Sequence, residues 1–443
     1  MGFAGSAAES NAQDWPQFLG PHRDGTSAET GLLDRWPSNG VPVVWEKRIG
    51  TGYSAPSVRG DQLVLHHRVG GEEMVESFDA ATGRALWRYA YPSQFVDPYG
   101  YNNGPRGTPL LTADRCYTFG AEGKLVCLDL PTGKPVWQRD TAKDWDVPPA
   151  FFGVGSSPVL EGDRLIVMVG GQPNSGVVAF DARTGKTVWE SVGEKNWSGV
   201  TMTRWPGEPK VVWRTADKQA SYSTPVAATI NGQRQILCLM RQGLVSLNPT
   251  NGNVNWNLWF RSRVEDSVNA MSPVVAEDKV FISAAYYKVG SVLLRVNPDN
   301  RRFAELWRST VLEIHWNTPV YQDGYLYAFS GRNEPDARFR CVELASGKLM
   351  WDRDESWPLH SGYATPQPNV YGRGSAIMAE GKLIVLGEGG LLGLFRVNPQ
   401  KPEEISRWQV PQLRFPCWAG PVLSRRKLYL RSEDHLVCLG VEK

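Results

Sequence analysis

No run of eighteen apolar residues occurs anywhere in this chain of 443, which excludes a membrane-spanning helix. Blocks of one charge are missing too. Forty-eight basic and 46 acidic residues leave a formal net charge of +2, and with no long basic stretch, binding driven by neutralising nucleic-acid phosphates is excluded. Cysteine is sparse: Cys116, Cys127, Cys238, Cys341, Cys417 and Cys438 form no CxxC pair, so neither a zinc site nor a disulfide framework is encoded. Cys116 with Cys127, and Cys417 with Cys438, fall where they can share neighbouring strands; all six read as buried free thiols.

Motifs for common chemistries are absent as well. There is no GxSxG elbow, no P-loop and no HExxH. His66 and His67 are adjacent on an expected strand, point to opposite faces and cannot chelate one metal together. The opening MGFAGSAAESNAQ has no basic segment followed by an apolar one and no lipid-accepting Cys, and reads as the polar start of a mature or trimmed chain.

What is abundant is Gly (45), Pro (31) and Trp (18), and they come in step. FDAATGRALW (Phe78 to Trp87) recurs as LDLPTGKPVW (Leu128 to Trp137) and FDARTGKTVW (Phe180 to Trp189), then more loosely at Leu247 to Trp256 and Val342 to Trp351. Two further copies, Asn297 to Trp307 and Asn398 to Trp408, stretch the spacing, and Trp45 begins the series. The Asp carboxylate bonds turn backbone, Gly supplies positive φ at a hairpin, and Trp ends an outer strand, packing flat between sheets at matching heights. In step with this, a small residue and Pro precede each inner strand: Ala55-Pro56, Thr108-Pro109, Ser157-Pro158, Thr224-Pro225, Ser272-Pro273, Thr318-Pro319 and Gly420-Pro421; Ser375-Ala376 has lost its Pro.

Repeats of about 50 residues predict an all-β, eight-bladed β-propeller with four-stranded antiparallel blades. The strand at Val43 to Glu46 has no blade of its own and is expected to complete the last one, closing the ring. Residues 1–40 are expected to be an extension packing on the propeller of 41–443. The long stretch from Val192 to Ser221, with Trp197, Trp205 and Trp213, is expected to add a hairpin on one face.

Residues just before the inner strands should ring the funnel where propeller ligands bind. They are Tyr53, Asn103, Arg106, Ser156, Tyr222, Asn269, His315, Trp316, Asn317, Arg373 and Trp418. Tyr53, Arg106, Tyr222, His315, Trp316, Arg373 and Trp418 are the candidate cofactor contacts, because Arg forks onto carboxylates and aromatic rings stack on flat ones. The same residues also read structurally: Arg106 and Arg373 bonding inner-strand carbonyls, Trp316 and Trp418 plugging the channel, His315 as a hydrogen-bonded neighbour of Trp316. The Gly-rich GEGGLLG (Gly387 to Gly393) reads as a hairpin. Glu265, Asp266 and Glu388 would bind Ca²⁺ only if they converge.

The Asp-x-x-Thr-Gly-x-x-x-Trp copies resemble the tryptophan-docking repeats of quinoprotein alcohol dehydrogenases and of BamB, the propeller lipoprotein of outer-membrane assembly. The phrases DWPQFLGPHRDGTS (Asp14 to Ser27), Gly104 to Trp137 and SYSTPV (Ser221 to Val226) resemble exported PQQ-like propeller proteins of planctomycete-type bacteria. The resemblance implies a periplasmic or secreted protein whose signal peptide is absent here. It implies either a binding or scaffold module for a protein or polysaccharide, a PQQ- and Ca²⁺-dependent oxidoreductase acting on an alcohol or sugar, or a BamB-like assembly factor. The dehydrogenases' vicinal Cys pair is missing, and their Ca²⁺-binding Glu/Asn/Asp set has no counterpart matched by residue. For the scaffold reading, the candidate rim loops are Pro92 to Tyr101, Lys143 to Phe152 and Val192 to Trp213.

Overall fold

Eight four-stranded antiparallel units make up the chain, in a computed structural model that describes residues 13–147, 150, 152–198, 201–202, 209, 211–212, 221–264, 267–360, 363–364 and 367–443. Blades 1 to 7 occupy residues 57–92, 110–140, 159–191, 226–259, 274–309, 320–354 and 375–409 in chain order. Blade 8 takes its three inner strands from Val422–Ser424, Lys427–Arg431 and His435–Gly440. Its outer strand is Val43–Arg48, which pairs antiparallel with His435–Gly440, Trp45 opposite Cys438. The two ends of the chain thus share one sheet, as the unpaired Val43 to Glu46 segment requires, and the ring has no open edge.

In seven blades the inner strand starts at a small-residue-Pro pair, where Pro gives up an N–H that no neighbour needs, and in blade 7 Ser375-Ala376 starts it without Pro. The small residues do more than fit. Thr108 N donates to Ser157 Oγ at 2.9 Å, Ser157 N to Thr224 Oγ1 at 3.1 Å, Thr224 N to Ser272 Oγ at 3.1 Å, and Ser272 N to Thr318 Oγ1 at 3.1 Å. A hydroxyl at each start accepts from the preceding blade, tying blades 2 to 6 around the channel.

The Trp residues sit on the outer strands, but they do not end them: Trp87 is the third residue of Ala85–Pro92. Each outer strand carries a bulge, between Ala85 and Trp87 in blade 1 and between Pro135 and Trp137 in blade 2, for example. The extra residue just before the Trp is turned outward, which leaves Val44, Leu86, Val136 and Val188 exposed while the indole turns toward the next blade. Trp87 Nε1 donates to Leu130 O at 2.8 Å, Trp137 to Ala182 O at 3.0 Å, Trp189 to Pro249 O at 3.0 Å, Trp307 to Leu344 O at 2.8 Å and Trp351 to Asn398 O at 2.9 Å. The turn glycines of the receiving blades, Gly133, Gly185, Gly252 and Gly347, lie flat against these rings. Matching heights hold in seven blades: Trp307 stands opposite Leu293, two residues before Arg295, as Trp87 stands opposite Ser77, two before Asp79. In blade 7 the bulge falls at Ile405, Ser406 takes that height opposite Leu394, and Trp408 lies two residues further along, opposite Leu392.

The N-terminal stretch crosses one end of the channel. Trp15 and Val58 exchange backbone hydrogen bonds at 3.0 and 2.8 Å, Leu111 N donates to Pro16 O at 2.8 Å, and Thr26–Ser27 pairs in parallel with Ser375–Ala379 of blade 7. Arg23 Nη2 reaches Leu160 O of blade 3 at 2.7 Å. Between these ties Phe18 and Leu19 lie against the inner-strand starts. All six cysteines are free and buried. In the long blade-4 connection Thr201–Met202 pairs with Val211–Val212, the added hairpin, and Trp197 is buried; Trp205 and Trp213 lie outside the described residues.

Candidate functional site

The funnel opposite the N-terminal crossing is a cavity of about 1280 Å³ counting its open mouth. All seven sequence candidates line it: Tyr53, Arg106, Tyr222, His315, Trp316, Arg373 and Trp418. Each stands just before an inner strand, so the blade repeat itself delivers one or two side chains per blade to the same ring. Phe18, from the N-terminal crossing, also lines the cavity. The other ring residues were expected at the opening but serve the scaffold. Asn269 Nδ2 donates to Met240 O and Phe260 O, both at 2.8 Å, and Asn317 Nδ2 to Phe329 O at 3.1 Å. Ser156 is buried, and Asn103 O accepts from Arg68 at 3.0 Å.

Trp418 is the hub of an aromatic wall. Its ring centroid is 4.9 Å from Tyr53, 5.9 Å from Tyr101 and 6.4 Å from Trp316, and its Nε1 donates to Glu388 Oε2 at 2.5 Å. Tyr101 continues the wall to Phe152 at 6.0 Å, and Phe152 to Tyr222 at 5.5 Å. Tyr222 Oη accepts from Phe152 N at 2.8 Å. Two expected rim loops therefore end in the funnel rather than beside it: Tyr101 closes the segment from Pro92, and Phe152 closes the segment from Lys143.

Two of the three arginines of the funnel, Arg106 and Arg373, are paired with carboxylates. Arg373 has five N–H donors and uses them all: Nε on Glu388 Oε1 at 3.1 Å, Nη2 on Glu388 Oε2 at 2.9 Å and on Glu334, Nη1 on Arg332 O at 2.6 Å and on His315 Nδ1 at 3.0 Å. Burial works against this charge, but Glu388 and Glu334 outweigh it and raise the Arg373 pKa. Arg106 is held by Asp97 at 2.8 Å and by the carbonyls of Gly104 and Asn102 at 2.8 and 3.0 Å. Burial lowers its pKa in spite of Asp97. The inner-strand carbonyl role expected of these two arginines belongs instead to Arg431, whose Nη1 donates to Ser54 O at 2.7 Å.

His315 accepts from Arg373 at Nδ1 and faces Tyr286 Oη from Nε2 at 3.3 Å. Burial, then the charges of Arg373 and Arg332, push its pKa down to about 3. At neutral pH it is an uncharged imidazole of very low basicity, fixed by its neighbours.

Sequence reasoning missed Tyr286, Arg332 and Glu334 on this wall, and it named Glu388, behind it, only as a candidate Ca²⁺ ligand. Glu388 sits in the Gly-rich hairpin between Lys382–Leu386 and Leu391–Arg396, and nothing in its spacing marks it as the partner of Arg373. PQQ with Ca²⁺ would need carboxylates free to hold the ion. Among the described residues no group of three His, Cys, Asp or Glu side chains converges as a metal site, and Glu334 and Glu388 are committed to Arg373. Glu265 and Asp266 lie outside the described residues. Among the described residues the donors do not fit a calcium-held quinone. His66 and His67 meet separate acids, Glu73 at 3.2 Å and Glu76 at 3.0 Å.

Comparison with known proteins agrees with this architecture. A family profile described as outer membrane protein assembly factor BamB matches residues 37–142 and 71–353. The dehydrogenase subunit of an alcohol dehydrogenase (quinone) from Gluconacetobacter polyoxogenes is 32% identical over 197 residues, 41% of this chain and 26% of that one. Outer membrane protein assembly factor BamB of Yersinia pestis is 24% identical over 285 residues, 61% of this chain and 60% of that one. The chain thus spans less than two thirds of the length of these relatives. The quinohemoprotein alcohol dehydrogenase of Comamonas testosteroni superposes with a TM-score of 0.64 at 12% identity, covering 97% of this chain and 81% of that one, which shows a shared fold. With eight docked blades and a profile match over more than half its length, this chain belongs to the PQQ-like β-propeller family described as outer membrane protein assembly factor BamB.

Proposed function

We propose that this chain is an exported, non-enzymatic binding or scaffold module, in which the propeller of 41–443 holds a protein or polysaccharide partner at the aromatic funnel and the extension of 1–40 braces the opposite end. The observation that carries this reading is the pairing of Arg106 and Arg373 with carboxylates inside the funnel. Arg373 has no N–H left, His315 is a very weak base, and the rings of Tyr53, Tyr101, Phe152, Trp316 and Trp418 supply the contact surface. Such a wall recognises by stacking and shape, and its lining carboxylate, Glu334, is tied to Arg373. Tyr99 and Tyr101, each 55% exposed, extend the aromatic surface to the mouth. The name of the family profile supports a place in the cell envelope and a BamB-like assembly role as one form of this reading.

The rival, a PQQ-dependent oxidoreductase of an alcohol or sugar, draws support from the identity to the quinone-linked alcohol dehydrogenase. One experiment separates the two. Purified protein is mixed with the quinone, Ca²⁺, an electron-accepting dye and a series of alcohols and sugars, and a photo-crosslinking residue at position 101 is tested in intact cells. The binding reading expects no dye reduction and a discrete covalent adduct that a crosslinker at Val69 does not give. Turnover, or equal adducts from both positions, overturns it.

A further inference from the structure

We infer that a second cleft, outside the funnel, binds a small zwitterion, an amino acid or short peptide whose ammonium meets Glu313 and whose carboxylate meets Lys288. The cleft lies between the blade 5 loop from Ala284 to Gly290 and the blade 6 loop from Ser330 to Arg338, and its volume is about 1030 Å³ counting its open mouth. Glu313 comes from the connection between the two blades. Of the cations that line the cleft, Arg338 and Arg340 are already neutralised. Both meet Asp352, at 2.8 and 2.9 Å, and Arg338 also meets Asp354 at 2.7 Å. Arg332 lies over the rings of Tyr286 and Tyr287, 4.4 and 4.9 Å from their centroids. Lys288, Glu313 and Asp336 remain, and among the described residues none of the three has an opposite charge within ion-pair distance.

Glu313 is fixed by its backbone. Its N donates to Ser330 Oγ at 2.9 Å, and its O accepts from Gly331 N at 2.8 Å, which holds the carboxylate at the root of the blade 6 loop. Oε1 is enclosed by protein and has no hydrogen-bond partner among the described residues. An acceptor shut off from water in a native fold calls for a donor from elsewhere. Burial raises the Glu313 pKa, and of the charges around it Lys288 acts most strongly, in the opposite sense. Glu313 and Lys288 thus act on each other across the cleft without forming an ion pair. A zwitterion bridges such a gap, because its N–H donors meet the acid and its oxygens meet the amine. An ion of one sign would satisfy one of the two and oppose the other. Asp336, exposed in the blade 6 loop, strengthens the acidic side. Lys288 and its neighbour Tyr287 stand in left-handed backbone, at φ of 59° and 52°, a costly conformation that concentrates at ligand clamps. Ala285 and Tyr287 give the cleft an apolar flank for a small side chain.

The test is isothermal titration of the full chain with L-alanine and L-alanyl-L-alanine. Two analogues of the dipeptide carry one charge each: N-acetyl-L-alanyl-L-alanine lacks the ammonium, and L-alanyl-L-alanine amide lacks the carboxylate. The dipeptide should bind about tenfold or more tightly than either analogue, the factor that one charge-assisted hydrogen bond supplies. Glu313→Gln should erase the preference over the N-acetyl form and keep the preference over the amide. Lys288→Gln should do the reverse. Both variants should melt with the wild type, because Glu313 keeps its backbone ties and Lys288 is exposed. Tighter binding of alanine than of the dipeptide identifies a free amino acid, and the opposite order a peptide. Failure of both zwitterions to bind, equal binding of the dipeptide and its analogues, or the same loss in both variants overturns the site. Trp418→Ala, in the funnel, should leave these affinities unchanged; if it abolishes them, the probes occupy the funnel and the cleft proposal falls while the funnel reading stands.

Discussion

Trp45 and Gly83 meet across the seam where the ring closes: a methyl group added at Gly83 would lie 2.8 Å from the indole, whose Nε1 donates to Ala80 O at 3.1 Å. One residue comes from the strand that completes blade 8 and the other from the outer turn of blade 1. Gly83 also has φ of 70°. Gly83→Ala should therefore cost about 1–2 kcal/mol for the left-handed backbone and a further 1–3 kcal/mol, roughly, for overpacking. Gly60→Ala is the matched control, with φ of 58° and no neighbour within 4 Å; it should show the backbone cost alone. Urea midpoints measure both, and equal losses would mean that the indole simply moves aside.

Trp87 and Trp256 test the docking hydrogen bond. Trp87 Nε1 has an acceptor in Leu130 O, while Trp256 Nε1 is buried with none and its ring packs edge-on to Phe303 at 5.2 Å. Phe keeps most of the aromatic area in both places. Trp87→Phe should thus be more damaging than Trp256→Phe by about 1 kcal/mol, the net worth of one hydrogen bond. The difference should appear in equilibrium unfolding of the two variants followed by the same probe.

Glu29 pins the N-terminal crossing to blade 8. Its carboxylate is buried and accepts from the backbone N–H of Arg425 and, at 2.7 Å, of Arg426, two residues in left-handed conformation at φ of 53° and 58°. Glu29→Ala leaves those donors without an acceptor and should cost about 2–3 kcal/mol. Limited proteolysis should cut the first thirty residues faster in this variant, with the propeller remaining intact. Unchanged cleavage would show that the ties at Trp15, Pro16, Arg23 and Thr26–Ser27 hold the crossing without Glu29.

His315 makes stability depend on pH. Its pKa falls from an ordinary 6.5 to about 3 in the folded chain. Between those values the unfolded chain binds a proton that the folded chain does not, so stability rises with pH through the window. The contribution is fully present above about 6.5 and is lost as pH falls toward 3. His315→Asn should flatten the curve between pH 6 and pH 4 by about 1.4 kcal/mol per unit, the value of one proton. Superimposable curves for the two proteins would show that His315 keeps its usual pKa.

Much of the fold could be read from spacing. Asp-x-x-Thr-Gly-x-x-x-Trp located the outer turns, the small-residue-Pro pairs located the inner strands, and the unpaired Val43 to Glu46 foretold the closing strand. The sequence misled where a bulge intervenes. Trp87 looked like the end of a strand because alternation breaks just before it at Leu86, and Trp408 looked level with the rest because a longer turn does not announce which strand absorbs it. For the site, rank order in the chain named the seven wall residues. It could not name Arg332, which follows a strand instead of preceding one, or show that Glu388, named only as a candidate Ca²⁺ ligand, pairs with Arg373.

By itself the sequence determined the number of blades, the place of the seam and the ring of residues at the funnel, because each follows from a local pattern repeated at a fixed interval. Tertiary structure alone decided which charges cancel. Arg373 meets Glu388 and Glu334 because a closed ring brings blade 6, blade 7 and their loops to one axis, while Arg332 lies over Tyr286 and Tyr287 with no carboxylate in ion-pair distance among the described residues. Pairing of this kind depends on distances across the ring, which no spacing along the chain encodes.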